Sequence, residues 1–268
     1  MAHDSQPAPA TRDRHVGTVS THLPTRMAYH PPWARNPAGE DEEQSVVFDF
    51  HTHTFWSDGE LSPMEQARRA VQRGYRVLGL TDHVGVGGVP ELIKALKADR
   101  EIIERYWPIT VVVGVELTHV PAEAIPEAAR FALDAGAEIV VLHGETPVEP
   151  VPEGSNHAAI ISGLVDVIGH PGHITEEDVR EAAARDIFLE ITSRRGHSLT
   201  NGHVARLAQR YGAKMIVNSD THSPSDLLTS DFQRSVALGA GIEPSLLPDV
   251  LQTWPEELLQ RVLARREG

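Results

Sequence analysis

The stretch Val46-Val47-Phe48-Asp49-Phe50-His51-Thr52-His53 joins a strand signal to a pair of metal-type donors within eight residues. Its β-branched and aromatic run reads as a short strand, and two histidines one residue apart close it. Side chains two apart on a strand share a face, so both imidazoles can reach into one site. Asp49 has the same parity and reads either as a hydrogen-bond acceptor that orients one of them or as a capped, hydrogen-bonded strand aspartate. Directly behind the pair, the turn Trp56-Ser57-Asp58-Gly59 supplies a carboxylate. Ser62-Pro63-Met64-Glu65 then combines an N-cap, a proline at the first helical position and a capping-box glutamate, and Gly74 suits the helix end.

The same alternation continues downstream. Runs at 46–49, 77–80, 110–115, 138–142, 165–169, 188–192 and 214–218 read as strands, separated by amphipathic stretches, the signal of parallel βα units. Thr175 with Asp178, and Asn201 ahead of His203-Val204, are further expected N-caps. Residues 144–163 hold only a short helical piece, 158–161, behind a Pro-rich loop that reads as a lid. Seven such strands fit either an open doubly wound sheet or a closed barrel. No G-x-G-x-x-G or G-x-x-x-x-G-K-[ST] fingerprint follows any strand, which argues against nucleotide binding in the Rossmann or P-loop manner.

The placement of donors favours the barrel, in which functional side chains gather at the C-terminal strand ends. At those ends stand His51 and His53, then His83, Glu116, His143, His170, and finally Asp220 with His222. Six of the seven strands thus end in a metal-type donor, and chance scatter of His, Asp and Glu does not produce such a register. The sixth strand instead leads into Thr192-Ser193-Arg194-Arg195-Gly196-His197, where Arg194 or Arg195 could clamp a phosphate. His119, His157, His173, His197 and His203 read as structural or solvent-facing, His197 and His173 being the two of them placed to approach a substrate.

Composition bounds the rest. The chain has 268 residues, 40% of them apolar, and no cysteine, so any metal must be held by nitrogen and oxygen donors. One domain over 45–268 is expected, preceded by a flexible extension over 1–44 that ends in Glu40-Asp41-Glu42-Glu43 and carries His3, His15, His22 and His30. A formal net charge of -14 with only 5% aromatic residues opposes nucleic-acid binding. No apolar run reaches membrane-helix length and the N-terminus lacks a signal-peptide core, so a soluble cytoplasmic protein is expected.

The ordered motifs His51-Thr52-His53 with Ser57-Asp58-Gly59, Thr81-Asp82-His83, Gly114-Val115-Glu116, Gly169-His170-Pro171 and Ser219-Asp220-Thr221-His222 resemble those of the PHP (polymerase and histidinol phosphatase) family. The resemblance runs from about Val46 to Asp226. It implies an α/β fold, a distorted (β/α)7 barrel, holding up to three divalent ions (zinc, manganese or iron) that catalyse phosphoester hydrolysis. Carried over residue by residue, the ligands are His51, His53, Asp58, His83, Glu116, His143, His170, Asp220 and His222. Family members have His or Asp at the position of Asp58, and Glu116 is implied as a bridging carboxylate. A metal-bound hydroxide, with no side-chain nucleophile, is the expected attacking group.

Three divalent ions, three carboxylates and one hydroxide leave a formal charge of about +2, which suits a phosphate dianion. The expected activity is hydrolysis of a small phosphomonoester, histidinol phosphate or a similar metabolite, with Arg194, Arg195 and His197 near the substrate. A nuclease or nucleotide phosphodiesterase of the same family is the alternative, and a non-catalytic metal-binding barrel is the third reading.

Overall fold

A computed structural model describes Met1 and residues 46–266. The expected extension, its four histidines and the boundary at 44/45 lie outside the described residues, Met1 excepted. Eight strands form the sheet: β1 (Val47–Asp49), β2 (Tyr75–Leu80), β3 (His83–Val84), β4 (Thr110–Leu117), β5 (Ile139–His143), β6 (Val167–Gly169), β7 (Phe188–Thr192) and β8 (Met215–Asn218). All pairs are parallel, in the order β1-β2-β4-β5-β6-β7-β8, and β3 takes over the edge of β4 where β2 leaves off. A Thr52–Thr221 bridge draws β1 and β8 together. Asp220 N donates to His51 O (3.0 Å), His53 N to Thr221 O (2.8 Å) and Phe50 N to Asn218 Oδ1 (2.9 Å).

The result is the expected seven-stranded parallel barrel, nearly closed. β3 was not expected, because two residues are too short a run to show a period. Expected strand ends move by at most two residues: β2 starts at Tyr75, β4 continues through Glu116 to Leu117, and β5 takes in His143. Among the described residues eight α-helices accompany the strands: α1 (Pro63–Gln72), α2 (Val89–Tyr106), α3 (Ile125–Asp134), α4 (Ser155–Ser162), α5 (Glu176–Arg185), α6 (Asn201–Tyr211), α7 (Ser230–Gly239) and α8 (Trp254–Ala264). The piece read at 158–161 is the second half of α4.

Cap chemistry follows the sequence in part. Ser62 Oγ accepts from Glu65 N (3.2 Å) and Thr175 Oγ1 from Asp178 N (3.0 Å). The Glu65 carboxylate does not reach back as a capping box requires, because Arg68 Nε (2.7 Å) and Arg69 Nε (2.8 Å) hold it. Asn201 is not an N-cap: it is the first residue of α6, and its amide pairs with Thr192 N (3.2 Å) and Thr192 O (2.8 Å). A buried amide that satisfies both backbone groups at a strand end leaves no polar atom there unpaired.

Alternation along each strand builds the barrel in layers. Val111, Val113, Val115, Leu189, Ile191, Met215 and Val217 face the helices in one large core. Phe48, Phe50, Val77, Val112, Ile139, Val141, Val167, Phe188 and Ile216 form a second cluster that fills the lower barrel. Leu258, Leu259 and Val262 of α8 complete that cluster and plug the bottom. Arg265 pairs with buried Asp166 (2.7 Å) and Arg266 with buried Glu138 (2.9 Å), fixing α8 to the strands above it. With the lower barrel filled by hydrocarbon, the next residues upward on the same faces must meet at the top: His83, Glu116, His143, Glu190 and Asn218. Among the described residues no helix is long and apolar enough to cross a membrane.

Candidate metal centre

Because β4 carries Val112, Gly114 and Glu116 on one face, the Glu116 carboxylate rises from the hydrocarbon layer into the middle of the upper barrel. Its Oε1 lies 3.2 Å from His51 Nε2 and 3.4 Å from His170 Nε2, and its Oε2 lies 2.6 Å from His83 Nδ1 and 3.5 Å from His53 Nε2. Asp220 takes the opposite side, 3.2 Å from His53 Nε2, 3.3 Å from His222 Nδ1 and 3.6 Å from His170 Nε2. Asp58 reaches His222 Nε2 (3.2 Å) and His83 Nε2 (3.7 Å) from the turn after β1. Gly59 is needed in that turn, since a Cβ there would lie 2.4 Å from His53 O.

Four groups of donors have ligand atoms within 4.8 Å of one another: His53, Asp58, His83 and His222; His51, Glu116 and His170; His51, His53 and Asp220; and His170, His197 and Asp220. Eight of the nine expected ligands belong to at least one group. The ninth, His143, stands at the edge with its ring 4.4 Å from that of His170. His197, expected only near a substrate, is drawn further in, its ring 4.3 Å from His170. His170 and Asp220 adopt positive φ (29° and 53°), a conformation L-residues hold only where surroundings enforce it.

Whether these side chains suit cations is decided by their unmet valences. Nine buried atoms here have no hydrogen-bond partner among the described residues: His51 Nε2, His53 Nδ1 and Nε2, both oxygens of Glu116, His143 Nε2, His170 Nδ1, His197 Nδ1 and Asp220 Oδ1. Elsewhere among the described residues, only Gln66 Oε1 and Thr146 Oγ1 share that state. Buried polar atoms are normally paired, and such a concentration of lone pairs, imidazole and carboxylate without thiolate, fits divalent zinc, manganese or iron.

The electrostatics agree. Burial disfavours the charge on Glu116, yet His51, His83 and His143 hold its carboxyl well below the ordinary range. Burial likewise opposes protonation of His83, but the charge and hydrogen bond of Glu116 outweigh it and raise the imidazole to about 9. His143 moves the other way, to about 4, chiefly through burial, and burial also pushes Asp220 up.

Several supports were not legible beforehand. Asp49 does not orient an imidazole: Phe48 and Phe50 fill the barrel interior, so Asp49 between them faces outward. There it accepts from Ser219 N (3.1 Å), His51 N (3.3 Å) and Tyr75 Oη (3.0 Å). The regular strand ends at Asp49, so the expected parity does not carry through to His51 and His53. The carboxylate that does meet an imidazole is Glu190, which accepts from His51 Nδ1 at 2.8 Å. Its only sequence signal is an acidic residue inside the apolar run Phe188-Leu189-Glu190-Ile191-Thr192. Asp82 accepts from Thr54 N (2.7 Å) and Ser57 Oγ (2.9 Å) and so shapes the turn bearing Asp58. Glu149, on the Pro-rich loop, comes within 3.5 Å of His143 Nε2 and 3.6 Å of His119 Nε2. His119 is exposed, as read, and stands at the rim with its ring 5.9 Å from that of His143. His173 packs against His203 (5.5 Å between rings).

A cleft of about 510 Å³ opens beside the donors, lined by Asp58, Glu60, Arg194, Arg195, His197 and His222, with Ser223 and Asp226. The two arginines differ. Arg194 pairs with Asp226 (3.3 Å), which also accepts from His222 N (3.1 Å) and Ser223 N (2.8 Å). Arg195 is exposed and makes no ion pair among the described residues.

The PHP domain model matches residues 49–197. An uncharacterized protein of Methanocaldococcus jannaschii is 50% identical over 80% of this chain and 99% of its own length. A protein of Caldanaerobacter subterraneus subsp. tengcongensis named "Probable phosphatase" is 32% identical over 83% of this chain and 93% of its own length. Among solved structures, the "putative histidinol phosphatase hisK" of Listeria monocytogenes aligns over 67% of this chain and 96% of that one, at 11% identity and a TM-score of 0.45. On the family model and these relatives, the chain belongs to the PHP domain family.

Proposed function

We propose that this protein is a metal-dependent phosphoesterase acting on a small phosphomonoester. The observation that carries this reading is the set of nine unpartnered buried donor atoms, beside which lies a cleft lined by His197 and by the exposed guanidinium of Arg195. His51, His53, Asp58, His83, Glu116, His143, His170, Asp220 and His222 would hold up to three ions, with Glu116 placed to bridge, since each of its oxygens addresses two histidines. Bound divalent ions would supply Lewis acidity, both to acidify a water and to neutralise phosphoryl charge.

The chain's own residues do the rest. Arg195 is free to pair with a phosphate oxygen, bidentate if the substrate presents two. Arg194 is already committed to Asp226 and acts at one remove, holding the loop that carries His222. His197 lines the cleft wall beside them. No serine or threonine nucleophile is required by this arrangement. A cleft of about 510 Å³ accommodates a small metabolite, and histidinol phosphate is one candidate. Asp58, Glu60 and Asp226 in the same wall disfavour a polyanionic strand, which supports a monoester over nucleic acid.

The test is phosphate release by protein stripped with a chelator and reloaded with manganese, zinc or iron, against a panel of phosphomonoesters and phosphodiesters. Metal-restored turnover of a monoester is expected. A reloaded protein that binds metal and hydrolyses nothing in the panel contradicts the proposal.

A further inference from the structure

We propose that Glu190 is a positioning residue for the metal centre: it fixes which nitrogen of His51 faces the ions. The inference rests on the reading of His51 as a ligand. β7 ends at Thr192 without a metal-type donor, and Glu190 lies one pleat lower, between Phe188 and Thr192 on the interior face. Its side chain is completely buried. An ionised carboxylate in such a place is tolerated only when its lone pairs are used.

They are used. Glu190 Oε1 accepts from His51 Nδ1 (2.8 Å) and Asn218 Nδ2 (2.9 Å), and Oε2 accepts from His170 N (2.7 Å). The carboxylate thus joins β1, β6 and β8 at one point. Glu116 and Asp220 behave differently, since they retain oxygens with no partner whereas Glu190 has none. Glu190 also falls in none of the groups whose donor atoms converge. It is therefore an orienting group and not itself a ligand.

The consequence falls on His51. With a hydrogen on Nδ1 donated to Glu190, the neutral ring carries its lone pair on Nε2, which lies 3.2 Å from Glu116 Oε1 and has no hydrogen-bond partner. A glutamine at 190 cannot reproduce this. Its NH2 would face either the donor His170 N or the donors His51 Nδ1–H and Asn218 Nδ2. Asn218 cannot turn over in response, because its Oδ1 is held by Phe50 N (2.9 Å). The least costly outcome is for His51 to move its proton to Nε2, the nitrogen the ion needs.

The test compares full-length wild type, Glu190→Gln and His51→Ala by zinc titration, with 15N NMR of the histidine rings before and after zinc. Wild type should show His51 protonated at Nδ1 when zinc is bound. Glu190→Gln should keep its fold by circular dichroism, show an Nε2–H signature at His51 in the zinc-free protein at high pH, and bind zinc about 10- to 100-fold more weakly. Weakening in His51→Ala but not in Glu190→Gln overturns this inference alone. If neither variant weakens zinc binding, the ligand reading falls and the inference with it. Should Glu190→Gln not fold, the wild-type spectrum still decides, because Nε2–H on zinc-loaded His51 overturns the proposal.

Discussion

Removing the metal should leave a protein whose stability falls as pH rises through the neutral and alkaline range. In the metal-free centre His83 is held at about 9 against an ordinary value of 6.5, because Glu116 outweighs the burial that opposes the charge. His51 and His170 are raised as well, against the same burial, by Glu190, Glu116 and Asp220. A histidine raised on folding contributes stability fully below 6.5, and this is lost as pH climbs through the folded value. His83 alone corresponds to about 3 kcal/mol between pH 6.5 and 9, since each pH unit of difference is worth about 1.4 kcal/mol. For a domain of this size that is a fall of about 6–12 °C in melting temperature.

Metal reverses the trend. Ligand nitrogens must lose their protons to bind, so the stabilisation given by a fixed excess of zinc or manganese should grow from pH 6.5 to pH 9. The assay is differential scanning calorimetry of chelator-treated and reloaded protein across that range, with His83→Asn reducing the slope of the metal-free curve. A metal-free protein that is equally stable or more stable at pH 9, or an unchanged slope in His83→Asn, would refute the reasoning.

Arg195→Ala should lower kcat/KM for a phosphomonoester by about 10- to 100-fold, the value of a charge-assisted hydrogen bond, with the melting temperature unchanged. Arg194→Ala should cost less, because Asp226 keeps its two backbone donors and a partly exposed pair is worth about 0–1 kcal/mol; steady-state kinetics on both variants checks the ranking. Gly79→Ala puts a Cβ 2.5 Å from Phe50 O, so β1 and β2 must separate, lowering the urea midpoint by the equivalent of about 1–3 kcal/mol. Leu259→Ala in the α8 plug should destabilise by about 2–5 kcal/mol in the same assay without altering metal content, since it sits at the opposite end of the barrel.

How much was legible in the sequence depended on whether the signal was local. Strand, turn and helix follow one another within reach of period and cap rules, so the parallel βα units and the positions of His83, Glu116, His143 and His170 near strand ends could be read directly, whereas closure into a barrel was favoured only by where those donors fall. Glu190 could not, because its meaning lies in partners 139 and 28 residues away. The two readings of Asp49 could not be separated because parity holds only along an unbroken strand, and β1 ends at Asp49 itself. Asn201 looked like a cap because its competing partners on Thr192 belong to a preceding strand. The unequal roles of Arg194 and Arg195 were invisible for a related reason: the two differ only in whether Asp226, 32 residues on, is within reach.

The central claim is that His and carboxylate groups at the strand ends hold divalent cations. Elemental analysis of purified wild type, His83→Ala and Asp220→Ala tests it most directly. Stoichiometric zinc, manganese or iron in the wild type, with a loss of bound metal in both folded variants, is the predicted result. Wild-type metal content in both variants would contradict it.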